Sequence, residues 1–395
     1  MGSNYRKIGD FLRLVDIRNH GLRINKLVGL TVNKQFIPSV ANIVGSDMEN
    51  YKIIRKGQFA CSLMQVRRDK KIPVALLQDF DEAIISQAYP VFEVVDKNVL
   101  EPEYLMIWFS RAEFDREACF YAVGGVRGSL EWEDFCNMQL PVPPIEKQRE
   151  IVAEYQAVQK RIQINEQLIQ KLEETAQVVY RRWFVEFEFP DENGNPYKSS
   201  GGEMVWCEEL GKEVPEGWVV GKLSDIATIV MGQSPDGETY NKHKNGMIFY
   251  QGRTDFGYRF PDITSYTTHP KKKVLKNDIL ISVRAPVGDL NIAIKDCAIG
   301  RGLAALRSKL KCNSHIFYTL QNLKSHFDIS DGEGTIFGSI NKDDLHNMKI
   351  IYSENIIKKF DKIVIPFDDY IKNYSIQNKK LTELKELLLS KLATI

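Results

Sequence analysis

Two stretches of this chain carry the same heptad pattern. In residues 144–187, seam positions recur in alternating steps of four and three from Ile151 to Trp183, and Asn165 alone breaks their apolar character. A second series with the same spacing lies 212 positions later, and its internal polar position is Gln377. A two-in-seven apolar seam with charged flanks is typical of long helices that pack as a coiled coil. The sequence therefore predicts two long helices, and this prediction constrains the fold more than any other feature.

The globular parts of the chain also repeat. Four short blocks recur in the same order in both halves: residues 7–10 with 222–225, 52–57 with 273–278, 83–94 with 296–306, and 128–138 with 338–348. Repeated blocks in one order indicate a tandem duplication. We expect each half to be a globular domain of about 140 residues followed by one long helix.

The fold class expected for each globular part is α+β. Short strands, turn clusters and one or two helices, such as residues 102–119 and 313–327, do not alternate as βαβ units would. The expected organisation is a first globular domain, a long helix, a linker, a second globular domain and a second long helix: 1–143, 144–189, 190–216, 217–353 and 354–395. The linker is rich in Pro, Gly, Asn and Ser, which favours a loop. Pro366 predicts a kink or a fresh helix start in the second long helix.

Composition limits the class of protein. The chain has 395 residues with a net charge of +1, and it contains neither a long apolar run nor the apolar segment of a secretory signal, so we expect a cytoplasmic protein without a membrane span. Its six cysteines form no C-x-x-C pair, which favours reduced packing residues over a regulatory disulfide. Residues 218–350 carry 18 basic and 13 acidic side chains, a balance of +5. This modest excess is compatible with nucleic-acid binding but does not require it.

The sequence lacks the usual signatures of catalysis. It contains no Walker A sequence, no G-x-G-x-x-G after a strand, no H-E-x-x-H and no G-x-S-x-G. No paired carboxylates with a nearby lysine offer a nuclease metal site, and no Cys/His cluster has zinc-ligand spacing. Catalysis by this chain alone is therefore not expected.

Several local strings resemble the specificity subunit of type I restriction-modification systems. In the first half these are WEDF at 132–135, LPVPPIEKQ at 140–148 and YRRWF at 180–184; in the second half they are MGQSP at 231–235, DILIS at 278–282 and TIFGS at 335–339. Each string alone is degenerate. Their order, together with the duplication, extends the resemblance over essentially the whole chain.

The resemblance implies that DNA recognition and catalysis lie on different subunits. In that family each globular part is a target recognition domain that reads one half of a bipartite, asymmetric site in double-stranded DNA. Two antiparallel helices, related by a pseudo-two-fold axis, hold these domains apart. The subunit binds no cofactor and has no activity of its own. It directs two modification subunits, which methylate adenine using S-adenosylmethionine, and restriction subunits, which use ATP and Mg²⁺.

The two polar seam positions suggest how the helices are aligned. A helix of some forty residues is roughly 60 Å long, nearly two turns of duplex DNA. If the helices pack antiparallel, equivalent residues meet only near the middle. We expect Asn165 and Gln377 to pair there and to fix the register, as a buried polar seam residue can. The alternative is two unrelated, solvated amides.

Candidate DNA contacts are polar and aromatic residues in loops. In the second half they centre on residues 249–260, which mix base-edge hydrogen bonders with aromatic rings. The candidates there are Gln233, Ser234, Tyr250, Gln251, Arg253, Tyr258, Arg259, Lys272, Arg284 and Arg301. Those in the first half are Arg18, Asn19, Lys34, Arg67, Arg68 and Arg127. The alternatives are a hairpin with an ordinary polar face, local turn caps, solvated lysines and structural ion pairs.

A docking surface for the modification subunits is expected at the ends of the first long helix. Aromatic residues and arginines are enriched at protein interfaces. The candidates are Gln148, Arg149, Tyr180, Arg182, Trp183 and Phe184. These residues could instead close the coiled-coil core or cap the helix.

The leading hypothesis is a non-catalytic reader of DNA sequence that also serves as an assembly scaffold. A coiled-coil scaffold that binds only proteins is the second hypothesis.

Overall fold

A computed structural model describes residues 5–39, 47–64, 66–122, 128–329 and 339–394, with the backbone alone for 325–329. The chain divides into two compact units. The first unit comprises Met1–Asn165 and Ile376–Ile395, and the second comprises Glu166–Ser375. Each long helix therefore contributes one part to each unit.

The globular part of the first unit combines short strands with short helices. Its strands are β1 (Tyr5–Lys7), β2 (Leu12–Val15), β3 (Val28–Leu30), β4 (Phe36–Pro38), β5 (Lys52–Arg55), β6 (Phe59–Cys61), β7 (Val74–Leu76), β8 (Glu82–Ile85), β9 (Val91–Val94) and β10 (Gln139–Pro141). Its helices are α1 (Val66–Asp69), α2 (Pro102–Phe109), α3 (Ala112–Tyr121) and α4 (Trp132–Asn137), which precede the long helix α5 (Ile145–Phe184). The one helix expected over 102–119 is thus two helices, α2 and α3.

A four-stranded antiparallel sheet in the order β2-β9-β6-β7 organises this unit. All three residues of β6 are buried because both faces of the sheet are covered. On one face, Phe59 stacks on Phe92 with ring centroids 5.1 Å apart, and both pack among residues of α2, α3 and α4. On the other face, Ala60 packs among residues of the ribbon β5-β8.

The second unit has the same kind of architecture with more strands. They are β11 (Met204–Cys207), β12 (Lys212–Pro215), β13 (Val219–Lys222), β14 (Ala227–Met231), β15 (Tyr240–Asn241), β16 (Met247–Tyr250), β17 (Tyr266–Thr267), β18 (Lys273–Val274), β19 (Ile279–Ser282), β20 (Leu290–Ile292), β21 (Cys297–Ile299), β22 (Leu303–Ser308) and β23 (Lys349–Tyr352). Its helices are α6 (Leu223–Ile226), α7 (Asn313–Ile329), α8 (Lys342–Asn347) and the long helix α9 (Glu354–Lys391).

The two units repeat one sheet order. The four-stranded sheet of the second unit runs β14-β22-β19-β20, which matches β2-β9-β6-β7 strand for strand. Its second sheet runs β15-β17-β16-β21-β18, with one parallel pair between β16 and β21. The equivalence extends to single contacts. Lys7 donates to Asn137 at 2.8 Å, and Lys222 donates to Asn347 at 2.9 Å. The predicted duplication and the α+β class are confirmed.

Helix α5 matches its predicted seam. Every seam position from Ile151 to Trp183 is buried or partly buried, and Asn165 is fully buried. Within the first unit, Lys385 of α9 donates to Gln159 of α5 at 3.1 Å, and Asn165 of α5 donates to Gln377 of α9. The pairs 159 with 385 and 165 with 377 show that the two helices run antiparallel in this unit.

The second seam, on α9, differs from the prediction at alternate positions. There the residue that faces inward is the one after the predicted residue. The prediction placed Ile363, Tyr370, Leu384 and Lys391 in the seam, but all four are exposed. The positions that follow them are turned inward instead: Val364 and Ile371 are buried, Lys385 is partly buried and Leu392 is buried. Phe367, Tyr374, Leu381 and Leu388 belong to both patterns. A helix with apolar residues at adjacent positions allows two heptad phases, and packing selects one.

Two further expectations are corrected. Helix α9 continues through Pro366, so the predicted fresh helix start is wrong. Residues 190–216 are not only a linker, because β11 and β12 pair as a hairpin there. Phe189 stacks on Tyr197 with ring centroids 4.6 Å apart, which holds the start of this segment against the core.

None of the helices in the described ranges is long and apolar enough to cross a membrane.

Candidate nucleic-acid interface

Three loops of the second unit meet at one point, which we call the loop crossing: residues 231–235, 250–253 and 299–302. Backbone hydrogen bonds join them. Gln233 N donates to Ile299 O at 3.0 Å, and Gly300 N donates to Tyr250 O at 2.8 Å. These loops follow β14, β16 and β21, so the ends of strands from the four-stranded and the five-stranded sheet lie next to one another at the crossing.

Glycines permit this close approach. A Cβ on Gly232 would lie 2.7 Å from Leu303 O, and one on Gly302 would lie 3.0 Å from Gln251 O. Backbone atoms cannot rotate away as a flexible side chain can. The crossing therefore depends on residues without a Cβ at these positions.

The crossing contains six of the residues predicted to contact DNA: Gln233, Ser234, Tyr250, Gln251, Arg253 and Arg301. Gln233, Gln251 and Arg301 are exposed, and their side chains make no hydrogen bond or ion pair with another described residue. Ser234 is half-buried, and its Oγ accepts a hydrogen bond from Arg301 N at 3.2 Å. Amides, a hydroxyl and a guanidinium together supply the donors and acceptors that base edges and phosphates require.

Two more predicted residues border the crossing. Arg284 follows Val283, whose N donates to Gly302 O at 3.0 Å. Lys272 O accepts from Ile299 N at 3.0 Å, so Lys272 lies beside the end of β21. Both side chains are exposed. Both residues therefore place positive charge beside the crossing.

Arg253 lies in an ionic cluster. Its Nε is 2.6 Å from Asp289 Oδ2, and Lys324 Nζ is 2.5 Å from Asp289 Oδ1. Burial would raise the pKa of Asp289, but hydrogen bonds from Lys324 and Arg253 outweigh it and lower that pKa. Arg253 has a side chain that is 51% exposed, so it keeps a solvent-facing edge.

Tyr258 and Arg259 bind the long helices of the second unit. Tyr258 Oη donates to Glu173 on α5 at 2.6 Å. Arg259 donates to Glu173 at 2.8 Å and also pairs with Asp368 on α9. Burial disfavours the charged guanidinium, but the two carboxylates outweigh that effect and raise the pKa of Arg259.

This arrangement corrects two predictions. Arg259 is only 2% exposed and is committed to its carboxylates, so it is a structural anchor and not a DNA contact. Tyr250 is also fully buried. The segment 249–260 is therefore divided between the loop crossing, at Gln251, and a helix-packing part, at Tyr258 and Arg259.

In the first unit, burial corrects two further predictions. Asn19 is buried, and its amide exchanges two hydrogen bonds with the backbone of Ile24, at 3.0 and 3.1 Å. Lys34 is nearly enclosed, and its Nζ lies 2.8 Å from Asp115 Oδ1. Burial lowers the pKa of Lys34, while Asp115 opposes that shift. Neither side chain can reach a ligand in this structure.

The remaining candidates of the first unit are more accessible. Arg18 donates to Asn50 O at 2.7 Å and pairs with Asp16 at 2.9 Å. Arg67 and Arg68 are exposed on α1, and Arg68 pairs with Asp69 at 2.7 Å. Arg127 lies outside the described residues.

The polar seam residues do meet. Asn165 Nδ2 donates to Gln377 Oε1 at 2.8 Å, as the two seams predicted. It also donates to Asn378 Oδ1 at 2.7 Å, a partner that the sequence did not indicate. The extra partner follows from the corrected phase of α9, in which residue 378 occupies the inward position.

Most of the expected docking surface is buried. Tyr180, Trp183 and Phe184 belong to the core of the second unit, and Tyr180 Oη donates to Thr319 at 3.2 Å. Gln148 is fully buried, and its amide binds the backbone of Val99, Glu101 and Pro143. For these four residues the alternative, core packing and capping, is correct.

The two arginines of the expected docking surface are different. Arg149 pairs with Glu101 at 3.4 Å and keeps 53% of its side chain exposed. Arg182 is exposed and has no ion pair with any residue that the structure describes. Both stay predictions for contact with a partner subunit.

Sequence reasoning missed the acidic partners of Arg259. Glu173 and Asp368 lie on long helices where acidic residues are common on the solvated flank, so no local pattern marks them. Within the described ranges, no group of three or more His, Cys, Asp and Glu residues could hold a metal ion.

Comparison with known proteins points to one family. The sequence model described as type I restriction modification DNA specificity domain matches residues 41–174 and 215–386. A putative type I restriction enzyme MjaX specificity subunit of Methanocaldococcus jannaschii is 31% identical, over 76% of this chain and 69% of that protein. The type I restriction enzyme HindI specificity subunit of Haemophilus influenzae is 23% identical, over 92% of each chain.

A solved structure is similar in fold. The S subunit of a type I restriction-modification system from M. genitalium superposes with a TM-score of 0.62 at 16% identity. The alignment covers 100% of this chain and 99% of the other. At this level of identity the similarity concerns the fold alone.

Proposed function

Because the chain belongs to the family of type I restriction-modification DNA specificity proteins, we propose that it reads a bipartite DNA site, one half with each unit. Membership of the family makes the chain a DNA-recognition subunit of a larger complex. A scaffold that binds only proteins is not favoured. The duplication supports recognition of two half-sites. The two units share one sheet order but have different loops, so each can bind a different DNA sequence.

The loop crossing is the observation that carries the proposal. It presents Gln233, Gln251 and Arg301 to solvent on a backbone fixed by hydrogen bonds. Arginine can donate two hydrogen bonds to guanine, and glutamine can pair with adenine in the same bidentate manner. Arg284 and Lys272 are placed to bind phosphates beside these base contacts.

The partners follow from the family. We propose that two modification subunits and the restriction subunits assemble on this chain, and that the assembly works in the cytoplasm. S-adenosylmethionine, ATP and Mg²⁺ would be bound by those subunits. In this proposal the chain has no catalytic role and positions the DNA for its partners.

Arg301 provides the direct test. The complex of the chain with its modification subunits should bind the methylated site of its host, and Arg301→Ala should weaken that binding about tenfold, because one base or phosphate contact contributes roughly 1–3 kcal/mol. The altered complex should also lose discrimination at one half-site while keeping it at the other.

Lys295→Ala is the matched control. It removes the same charge from an exposed position at the opposite end of β21, two residues before the strand instead of two residues after it. Its affinity should stay close to that of the unaltered complex. Equal losses for both variants, or equal losses at both half-sites, would contradict the assigned role of the crossing.

A further inference from the structure

The first unit carries two exposed aromatic rings that the loop crossing does not involve. Phe120 is 78% exposed and Tyr121 is 41% exposed, both at the end of α3. The two rings are edge to face, with centroids 5.4 Å apart. Single exposed apolar side chains are common on protein surfaces, so exposure alone implies nothing.

The surroundings of these rings are strongly basic. The loop between β6 and β7 has the sequence RRDKK at residues 67–71, and its four cationic side chains are all exposed. Asp69 pairs with Arg68, which leaves Arg67, Lys70 and Lys71 without an ion pair among the described residues. We call these four cations and the two rings the aromatic-basic patch.

Side chains of α3 bind the backbone of this loop. Asp115 Oδ1 accepts from Ile72 N at 3.1 Å, and Cys119 Sγ lies 3.5 Å from Val66 O. Phe120 follows Cys119 in the chain, so its backbone lies near the start of α1. Arg67 N donates to Gly128 O at 3.2 Å, which closes the loop on the other side.

The sheet places this patch at the end that corresponds to the loop crossing. The loop after β6 is equivalent to the loop after β19, because both sheets have the same strand order. Cys61 N donates to Pro90 O, just before β9, and Val283 N donates to Gly302 O, just before β22. Arg284 in the second unit and α1 in the first thus occupy equivalent loops.

We propose that Phe120 is a wedge residue for the half-site read by the first unit: the cations of the patch bind phosphates, and the ring inserts at a base step. This inference rests on the proposed function and adds a specificity-determining residue to it. Apolar side chains that enter a base step partly unstack it, and flexible steps accept them most easily. Phe120 therefore selects a half-site by how easily its DNA deforms.

The test uses the complex of the chain with its modification subunits and duplexes containing the methylated site of the host. A 2-aminopurine is placed at successive positions of both half-sites, because its fluorescence increases when the base is unstacked. Apart from the adenines that the modification subunits themselves unstack, the unaltered complex should give an increase at one step of one half-site. Phe120→Ala should abolish that increase and weaken binding about fivefold to a hundredfold. Phe120→Leu should retain part of both, since leucine can also act as a wedge.

Trp206→Ala is the control. Trp206 is 64% exposed but lies opposite the acidic residue Glu213 in the hairpin β11-β12. This variant should bind and fluoresce like the unaltered complex. Because Phe120 is exposed, its replacement should leave the thermal unfolding midpoint unchanged.

The outcomes separate the two proposals. No binding of any duplex by the unaltered complex would overturn the proposed function and this inference with it. Specific binding without a fluorescence increase at any step other than the methylated adenines would overturn the wedge alone. A Phe120→Ala complex that keeps both its affinity and its fluorescence increase would also overturn the wedge alone.

Discussion

Arg259 is a buried, ion-paired side chain of the second unit. Its guanidinium is buried between Glu173 of α5 and Asp368 of α9, and it lies 4.2 Å from the centre of the Phe317 ring. A buried charge is tolerated only when it is paired, because removing it from water costs several kcal/mol. Arg259 thus ties the segment after β16 to both long helices within this unit.

Arg259→Met should lower the free energy of unfolding by about 3–5 kcal/mol, because it leaves buried carboxylates without their cation. Denaturant unfolding of the full chain measures this loss. Arg253→Met is the control: the guanidinium of Arg253 is half exposed in its pair with Asp289, so its removal should cost less than about 1 kcal/mol. Similar losses for the two variants would contradict the anchoring role of Arg259.

Asp361 gives the second unit a dependence on pH. Burial raises the pKa of Asp361 to about 6, and the neighbouring Asp368 adds to this shift. The backbone N–H of His315 donates to Asp361 at 2.9 Å and opposes the shift. An unfolded aspartate titrates near pH 4. Between about pH 4 and pH 6 Asp361 therefore holds a proton in the folded state that it has lost in the unfolded state, and its contribution to stability falls as the pH rises.

Asp361→Asn should remove this contribution while keeping the acceptor for His315 N. Urea unfolding between pH 4 and pH 7 should show that the variant becomes more stable relative to the unaltered chain as the pH rises, with a gain of roughly 1–3 kcal/mol at pH 7. Asp369→Asn, at an exposed position of the same helix, should retain the profile of the unaltered chain. Parallel profiles for Asp361→Asn and the unaltered chain would contradict the burial argument.

The burial and contacts of single side chains are the hardest features to predict from sequence. Asn19 and Lys34 have the residue types of DNA contacts, yet the fold buries both. The decisive partner of Lys34 is Asp115, 81 positions away, and no local pattern signals it. A polar loop residue looks the same in sequence whether it faces solvent or closes a core.

At the scale of elements, the loop crossing is a closely packed part of the second unit. Its three loops approach so closely that backbone oxygens occupy the space where side chains would begin. The rigidity of this arrangement matters for recognition, because exposed side chains on a fixed backbone lose little conformational entropy when they bind.

Gly232→Ala should destabilise the chain by about 1–3 kcal/mol, because its Cβ meets the backbone of residues 300 and 303 and forces the loops apart. Denaturant unfolding measures the loss, and affinity should fall at the half-site read by the second unit. Gly237→Ala is the control, since nothing lies within 4 Å of its Cβ position, and it should change stability by less than about 0.5 kcal/mol. A neutral Gly232→Ala would show that the crossing tolerates expansion.

The two long helices show what a heptad pattern can and cannot predict. Apolar residues stand side by side in both, at 151–152, 168–169 and 178–179 in α5 and at 363–364 and 388–389 in α9, so each sequence allows more than one heptad phase. Packing confirms the predicted phase in α5 and selects the other one in α9. The hairpin β11-β12 was missed because its turn-rich surroundings favoured a loop.

At the scale of the whole molecule, the chain consists of one architecture used twice with different loops. The sheet order and the Lys–Asn contact are the same in both units. The equivalent loops differ: the one after β6 contains the helix α1 and its basic run, whereas the one after β19 has seven residues, 283–289, and contains Arg284. Conserving the sheet while varying the loops gives two readers with different preferences.

Hydroxyl-radical footprinting of the complex between this chain and its modification subunits tests this account most directly. On a duplex with the methylated site of the host, it should show two protected patches separated by a weakly protected spacer. Arg301→Ala should weaken one patch, and Phe120→Ala should weaken the other. A single continuous patch, or the loss of both patches with either variant, would contradict the assignment of one half-site to each unit.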